Sequence, residues 1–525
     1  MTEVLTAAEM RGVEQRAIAD GLATGLELME RAGRGVVTAI FSHWPMLAAQ
    51  SGSAIILAGP GNNGGDGYVV ARLLRDWGWS VHVLSFGDTA RLPADAHLNW
   101  HRWTAMGRVD ALEAADPDGL DATFFRADLI VDALFGTGLS RGLSAFPALF
   151  QALHRVRRGN RHVKVVAVDL PSGLCSDSGR VLVSGAGVKG QVAHADLTVT
   201  FHRWKLGHVL ADGPEFCGEV ALVDLGLRPD ARFSGATMAG VRLDRLGKRP
   251  SGHKFSHGAA LIITGGAGKT GAARLAGRAA LRVGAGVVSL GVPPGAEAEV
   301  ANQITALMMT LVAGVDDLLA LMDDPRLSAL CMGPGLGLGT AQRDLVAAGL
   351  RRCASDNGPS LVLDADALTH LARDAALFSA LPPGCVLTPH AGEFARLFPD
   401  LADKLLADAL IGPAYSKVDA TRQAAARCGA VVVFKGPDTV IATPDGRCWL
   451  AAAVYDAQAP WLATAGSGDV LAGLITGLLA RGFSPQDSAQ TAVMLQLASA
   501  RRFGPGLIAE DLPEQIPAVL RDLLG

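Results

Sequence analysis

Short apolar runs that stop at a glycine or an acid, each followed by residues with helical spacing, recur along the chain. Residues 53–58 lead into Gly59-Pro60-Gly61-Asn62-Asn63-Gly64-Gly65-Asp66-Gly67, after which residues 69–77 resume a helical period. Residues 129–133 contain Asp132 and precede Phe135-Gly136-Thr137-Gly138-Leu139-Ser140-Arg141-Gly142, while residues 165–170 carry Asp169 ahead of Pro171-Ser172-Gly173. Apolar runs of this length without polar alternation read as strands buried on both faces, and such strands belong to parallel sheets covered by helices. The fold class expected is therefore α/β. In such sheets ligands sit beyond the carboxyl ends of the strands, so three acid and glycine loops at three strand ends converge on one crevice. Gly59, Gly61 and Gly64 fit GxGxxG, and Asp88 after the run 81–86 stands where a ribose-binding acid is expected. Two adjacent Asn and Asp66 exceed what a phosphate turn needs, so this loop is expected to contact more than a pyrophosphate. Residues 7–41, ahead of it, have helical spacing.

The second half repeats the pattern with different chemistry. The run 259–264 precedes Gly265-Gly266-Ala267-Gly268-Lys269-Thr270-Gly271, which imitates two motifs. A Walker loop needs Gly where Ile263 stands, and no acid follows at the Rossmann position, so neither motif is assigned. Further on, strand-like runs lead into Gly333-Pro334-Gly335-Leu336-Gly337, Asp364-Ala365-Asp366, Thr388-Pro389-His390-Ala391-Gly392-Glu393 and Lys435-Gly436-Pro437-Asp438-Thr439. His390 beside Pro389 and Gly392 at a strand end reads as facing a ligand. The series closes at residues 464–473, TAGSGDVLAG. There Gly466 and Gly468 allow backbone N–H groups to approach an anion, and the apolar run 470–479 reads as a helix whose N-terminus adds partial positive charge. A carboxylate at Asp469 would be repelled by phosphate, so its work is to take a proton from a hydroxyl. The competing reading makes Thr464, Ser467 or Asp469 a helix cap.

A chain of 525 residues exceeds what one core supports, and residues 226–250, rich in Pro, Gly and charge, read as the join between two domains. The formal charge of −4 implies neither a nucleic-acid surface nor a membrane footprint. The basic run 154–164 reads as a solvated approach to the strand after it. Seven scattered Cys without CxxC spacing fit reduced thiols in a cytoplasmic protein. No signal peptide is expected, and every long apolar stretch is interrupted by Asp, Arg or repeated Gly, against a membrane span.

Through its glycine loop and the segments VDALFGTGL and AVDLPSG, the first half resembles the NAD(P)H-hydrate epimerase family, over about residues 5–228. The resemblance implies a Rossmann-like three-layer α/β/α domain over 1–228. It places substrate contacts at Asn62, Asn63, Gly64, Gly65 and Asp66, at Gly136, Thr137, Gly138, Leu139, Ser140, Arg141 and Gly142, and at Asp169. It also implies a potassium ion held by Asn63, Asp132 and Ser172. The family inverts C6 of hydrated NADH or NADPH, and Asp169 is the acid and base expected to do so.

Through HKFSHG, GPGLG, LDADAL, TPHAGEF, KGPDT and TAGSGDVLAG, the rest of the chain resembles the ribokinase-like ADP- or ATP-dependent NAD(P)H-hydrate dehydratases. This implies a ribokinase-like α/β domain over 238–525, with 229–237 as linker. Hydrate contacts are implied at Ala272, Gly335, His390 and Asp469, and nucleotide contacts at Lys435, Gly436, Pro437, Asp438, Thr439 and Gly468. Magnesium is expected with the phosphates of ADP or ATP, although no compact protein cage for it is legible. Asp469 would deprotonate the C6 hydroxyl, the terminal phosphoryl group would transfer to it, and phosphate would then leave. The expected partners are hydrated NADH and NADPH and the nucleotide, in a cytoplasmic homo-oligomer with no nucleic acid or membrane. Two rivals stand beside this reading: a ribokinase-like vitamin-precursor kinase fused to a nucleotide-binding module, and a first half that binds without catalysis.

Overall fold

The computed structural model describes residues 1–525 except 1–2, 113–116, 145, 161, 188–189, 229–234 and 249–250. They group into two compact units, one of residues 2–236 with 407–417 and the other of residues 237–406 with 418–525. Most of the expected linker, 229–237, lies outside the described residues, and Ala236–Met238 at its end is a strand.

The first unit is built on strands β1 (Ser53–Ala58), β2 (Ser80–Ser85), β3 (Val109–Ala111), β4 (Leu129–Ala133), β5 (Lys164–Val168), β6 (Leu197–Phe201) and β7 (Glu219–Val223). All pair in parallel, in the order β3-β2-β1-β4-β5-β6-β7. From β1 the chain winds to one side, and from β4 to the other, so the carboxyl ends of β1 and β4 frame a switch point. Ala58 pairs with Ala133, which sets those two ends level. Alternate residues of β1 enter opposite layers. Ala54, Ile56 and Ala58 join one core with Val36, Ile40, Val69 and Leu74, whereas Ile55 and Leu57 join another with Phe124, Phe150 and Leu153. Each fully buried aliphatic of this kind contributes on the order of 1.5–3 kcal/mol, and the two cores together make the three layers.

Two local expectations change. The helical stretch 7–41 is two helices, Ala7–Ala19 and Gly25–His43, each opened by a capping box, Thr6 with Glu9 and Thr24 with Glu27. The glycine loop is also shorter than expected, because the helix Asn62–Asp76 already contains Asn62 to Gly67. Glycine there serves close approach: a Cβ at Gly64 would lie 2.0 Å from the Gly59 carbonyl oxygen. The helix start can therefore lie directly on the switch point.

The second unit contains β8 (Ala236–Met238), β9 (Ala259–Ile263), β10 (Val287–Val292), β11 (Met308–Leu311), β12 (Leu327–Met332), β13 (Ser360–Leu363), β14 (Val386–Leu387), β15 (Val431–Phe434), β16 (Asp438–Ala442) and β17 (Cys448–Ala452). Their order is β11-β10-β9-β12-β13-β14-β15-β16-β17-β8. The strands are parallel as far as β15, after which β15, β16 and β17 form an antiparallel ribbon. Helices Gly271–Arg282 and Ser467–Ala480 pack on one another and on this sheet, with Val470, Leu474 and Leu478 in one core with Ala276, Ala280 and Val283. The second helix is buried all round from Val470 to Ala480, which fixes where its N-terminus stands. Among the described residues no helix is long and apolar enough to cross a membrane, and all seven cysteines are free thiols.

On an exposed helix Gly→Ala stabilises by about 0.5–1 kcal/mol. At Gly473 a Cβ would lie 2.1 Å from the Ala276 carbonyl oxygen and 2.5 Å from its Cα. Gly473→Ala is therefore expected to destabilise the second unit by about 1–3 kcal/mol, read as a lower midpoint in urea. A raised midpoint would contradict this helix contact.

Candidate functional site

In the first unit the switch point gathers three strand ends. Asp169 follows β5 with a left-handed backbone, φ +65°, a conformation that costs a non-glycine residue about 1–3 kcal/mol and persists only where its surroundings hold it. Here its N–H donates to Val199, and His208 Nε2 donates to its carbonyl at 2.8 Å. The carboxylate Oδ1 accepts from Lys205 Nζ at 2.8 Å and from the Thr200 hydroxyl at 2.9 Å. Lys205 is only 1% exposed, and its Nζ also donates to Thr200 Oγ1 and the Phe201 carbonyl. His208 Nδ1 accepts from the Lys205 N–H, and burial, then the Lys205 cation, pushes its imidazole down to about 4. The ring is thus neutral and holds the Asp169 backbone rather than sharing its charge.

Burial alone would raise the Asp169 carboxyl, but the Lys205 charge and hydrogen bond, with the Thr200 hydroxyl, outweigh it and hold the group below the usual carboxylate range. Asp66 is pushed the other way, well above that range, by burial first and then by the charges of Asp169 and Glu14. Glu14 itself is raised by burial. The crevice therefore holds one carboxyl whose proton affinity is lowered beside one whose proton affinity is raised, the divergence that separate acid and base roles use.

Beside them Asp132, fully buried, accepts from the Ser172 hydroxyl at 2.6 Å, the Ser172 N–H at 2.8 Å and the Leu134 N–H. Asn63, with its amide turned to satisfy both ends, donates to the Val168 carbonyl at 3.1 Å and accepts from the Gly136 N–H at 3.3 Å. A Cβ on Gly136 would meet that amide at 2.9 Å and an Asp169 oxygen at 3.3 Å, so Gly136 joins the two groups. All donors to a cation here would be oxygens, as potassium requires.

The other expected contacts disperse. Asn62 is exposed at the helix start, whereas Gly64 and Gly65 are buried, Gly65 against Met29. Thr137 is half-buried and Gly138 stands in the open. Leu139 turns back to bond Gly136, Ser140 accepts from Gly412, and Arg141 and Gly142 line a separate cleft. Lys205, Thr200, His208 and Glu14 were not anticipated. Nothing in the sequence marks Lys205, which follows His202 and Arg203 in the mixed segment LTVTFHRWKLGHVL.

In the second unit the centre is Asp364, 2% exposed, whose Oδ1 accepts from Lys435 Nζ at 2.8 Å and Thr388 Oγ1 at 2.7 Å. Glu393 stands 3.7 Å from the same ammonium. A Cβ at Gly468 would lie 3.2 Å from Lys435 Nζ, which puts the cation at the first turn of Ser467–Ala480. That helix includes Ser467, Gly468 and Asp469, starts from a left-handed Gly466, and has no side-chain cap. The capping role considered for Thr464, Ser467 and Asp469 is thus not what is seen, and the helix end retains its capacity for an anion. Burial, then the Asp364 charge, raises the Asp469 carboxyl to about 7, with Lys435 opposing and Glu393 and Asp366 adding to the rise.

Gly335 and Ala272 are neighbours: a Cβ on the former would be 3.6 Å from that of the latter. The same glycine loop is tied down by the Gly337 N–H donating to Asp366. His390 caps its own helix, Nδ1 accepting from the Gly392 N–H, while half its side chain stays exposed. Thr439 is buried and bonds Gly436 both ways, which shapes the turn and leaves Gly436 and Pro437 exposed, with Asp438 half-buried. In the Walker-like loop Glu299 accepts from the Gly268 N–H and the Thr270 hydroxyl, so a protein carboxylate takes the place a phosphate would need. Among the described residues no cluster of three His, Cys, Asp or Glu could hold a metal.

Comparison with known proteins gives two family matches. The family described as YjeF-related protein N-terminus matches residues 25–207, and that described as NAD(P)H-hydrate dehydratase matches residues 260–517. Bifunctional NAD(P)H-hydrate repair enzymes of Moorella thermoacetica and Salinibacter ruber are each 35% identical, covering 99% of this chain and 97% of their own. The NAD(P)H-hydrate epimerase of Rhodobacter capsulatus is 49% identical over 211 residues, 40% of this chain and 92% of its own. A solved structure of the ADP/ATP-dependent NAD(P)H-hydrate dehydratase from Bacillus subtilis, co-crystallized with ATP and Mg2+, is 28% identical and covers 53% of this chain and 94% of that one, with a TM-score of 0.45.

If Lys205 holds Asp169 ionised, Lys205→Met should move the Asp169 titration to higher pH. The infrared band of the protonated carboxyl, assigned by its loss in Asp169→Asn, reads this directly. An unmoved band would show that the hydrogen bond from Thr200 suffices without the cation.

Proposed function

The chain belongs to the family of bifunctional NAD(P)H-hydrate repair enzymes, and we propose from its two sites how the work is divided. The enzyme repairs hydrated NADH and NADPH. The first unit interconverts the R and S hydrates at C6, and the second dehydrates the S hydrate with ADP or ATP and releases phosphate. The observation that carries this reading is end-to-end similarity to bifunctional relatives in a chain whose two units each pair a lysine with a buried carboxylate beyond the ends of parallel strands.

In the first site C6 carries a hydroxyl and is bonded to a ring nitrogen. Protonated Asp66 gives its proton to the departing hydroxyl as the nitrogen lone pair forms the C=N bond. Water then adds from the opposite face, and ionised Asp169 takes its proton. Potassium belongs to this proposal, on Asn63, Asp132 and Ser172. In support, the Asp132 carboxylate is fully buried and its hydrogen-bond partners are all neutral. Bound there, the ion would balance that charge and brace the Asn63 and Gly136 contact.

In the second site Asp469 takes the proton of the C6 hydroxyl, and the oxygen then accepts the terminal phosphoryl group over the helix N-terminus. Phosphate leaves C6 as the ring nitrogen supplies electrons, and loss of a ring proton restores the dihydropyridine. Lys435 and Gly468 face the transferred group, with Gly436, Pro437 and Asp438 on the nucleotide side and Thr439 shaping their turn. Ala272, Gly335 and His390 are assigned to the hydrate. Magnesium on the nucleotide would neutralise phosphate charge. A cytoplasmic location and a homo-oligomeric state complete the proposal, the first supported by the free thiols.

The test is incubation with an epimer mixture of hydrated NADH, with and without ADP or ATP, both epimers followed chromatographically. A vitamin-precursor kinase would leave a stable phosphate ester, whereas repair releases phosphate and regenerates reduced-nicotinamide absorbance.

Asp169→Asn should leave dehydration intact, so that with nucleotide one epimer disappears fast and the other only at the spontaneous rate. A single fast phase would move the proton-transfer role elsewhere. Because Asp469 must be ionised to act and titrates at about 7, kcat/KM of the second reaction for the S hydrate should fall as pH drops through that value. Asp364→Asn removes a charge that raises it, so the acid limb should shift to lower pH. A limb unmoved in that variant would break the assigned coupling.

A further inference from the structure

We propose that residues 407–417, although they lie within the sequence of the second half, are a working part of the first site, where they hold the loop 136–142 and wall a cleft for the adenosine end of the dinucleotide. This rests on the epimerase reading above. By its contacts the segment belongs to the first unit, while the residues on either side of it in the chain belong to the other. It is fastened there along its length. The Ala409 carbonyl accepts from the Val183 N–H at 3.0 Å, Asp408 accepts from the Gly187 N–H at 2.8 Å, and the Gly412 N–H donates to the Ser140 carbonyl at 3.0 Å. Ile411 bridges to Arg141, and Ala409 and Ala414 are buried with Cys175 and Leu182 in a small core against which Leu139 packs. Three members of the substrate loop, Leu139, Ser140 and Arg141, are thus positioned by residues some 270 positions later in the chain.

The cleft that results has a volume of about 320 Å³, and its lining includes Phe86, Phe135, Phe146, Arg141 and Leu410. Phe86 and Phe146 meet edge to face with centroids 4.5 Å apart, and Phe86 and Phe135 do so at 6.0 Å. Such a set of rings with one guanidinium suits a planar, electron-rich base. Phe135 in the cleft wall directly precedes Gly136, which lies beside Asp169 and Asn63, so the cleft stands one residue along the chain from the reacting centre. The reacting ring of the hydrate occupies that centre, so adenine is the planar group left for the cleft. Leu410 is 43% exposed at its edge, as expected of a residue kept for a ligand rather than for the core.

The test uses the full-length protein with Leu410→Asp, at a position exposed enough not to threaten folding, and Leu410→Ala as the milder change. Epimerisation of hydrated NADH is compared with that of hydrated reduced nicotinamide mononucleotide, which lacks the adenosine. For the dinucleotide, Leu410→Asp should raise KM on the order of tenfold, with Leu410→Ala between it and the native protein, while kcat stays within about twofold. For the mononucleotide, KM should not change in either variant, nor should nucleotide-dependent dehydration of the S hydrate. Unchanged KM for both substrates would overturn the role of the segment, and equal increases for both would overturn the adenosine assignment. A native protein that epimerises neither hydrate would instead overturn the epimerase reading itself.

Discussion

Each unit places more carboxyl groups in its crevice than it has lysines to neutralise them, and the reactivity of both sites depends on which carboxyl the lysine takes. Lys205 takes Asp169, and Lys435 takes Asp364. Desolvation favours the neutral form of every acid in such a place; at Asp169 the Lys205 ammonium outweighs it, whereas a neighbouring carboxyl retains its proton to higher pH. Asp66 and Asp469 are those neighbours, the first raised well above the usual range and the second to about 7. A buried ion pair adds little net stability once desolvation is counted, and the left-handed turn at Asp169 costs more still. The arrangement is intelligible as a means of setting proton affinities.

The sheets make this possible by bringing distant segments level. In the first unit β1 and β4 end side by side where the chain changes direction of winding, so the start of the Asn62–Asp76 helix, Asp132 and Gly136 meet without any long loop. Asp169 enters from β5, and Lys205 comes from just beyond β6. The second unit obtains the same convergence from β13, β14 and β15, whose ends carry Asp364, His390 and Lys435, and then sets a helix N-terminus over them. That helix is apolar on every side, so burial of its body fixes the anion site at its tip. Stability and function are coupled there through Gly473, about one turn beyond Asp469 on the same helix.

Much of this was legible in the sequence because it is local. The runs at Ser53–Ala58, Leu129–Ala133 and Val431–Phe434 have the expected bounds, since apolar runs punctuated by glycine need no tertiary information to be recognised. Where glycine served close packing the same rule misled, and the first turns of the Asn62–Asp76 helix read as loop. What could not be read is long-range. Lys205 lies 36 residues after Asp169 and carries no motif of its own. Glu299 in the Walker-like loop is a partner from another element, and the segment 407–417 joins a unit that its neighbours in sequence do not. His390 and Thr439 show a subtler limit: residue type placed them at strand ends, but only the hydrogen bonds reveal that each already shapes its own turn.

The two sites also impose opposite demands on pH. Epimerisation as proposed needs Asp66 protonated and Asp169 ionised, so it has an alkaline limb where Asp66 loses its proton and an acid limb only far below, where Asp169 gains one. Dehydration as proposed needs Asp469 ionised and so weakens on the acid side of about 7. Rising pH therefore favours the step that removes the S hydrate until it begins to starve that step of fresh S hydrate from the R form. Sharing one chain places both reactions under the same solvent and the same supply of substrate. Lys435 opposes the rise at Asp469, so loss of that lysine would carry the acid limb of dehydration to higher pH.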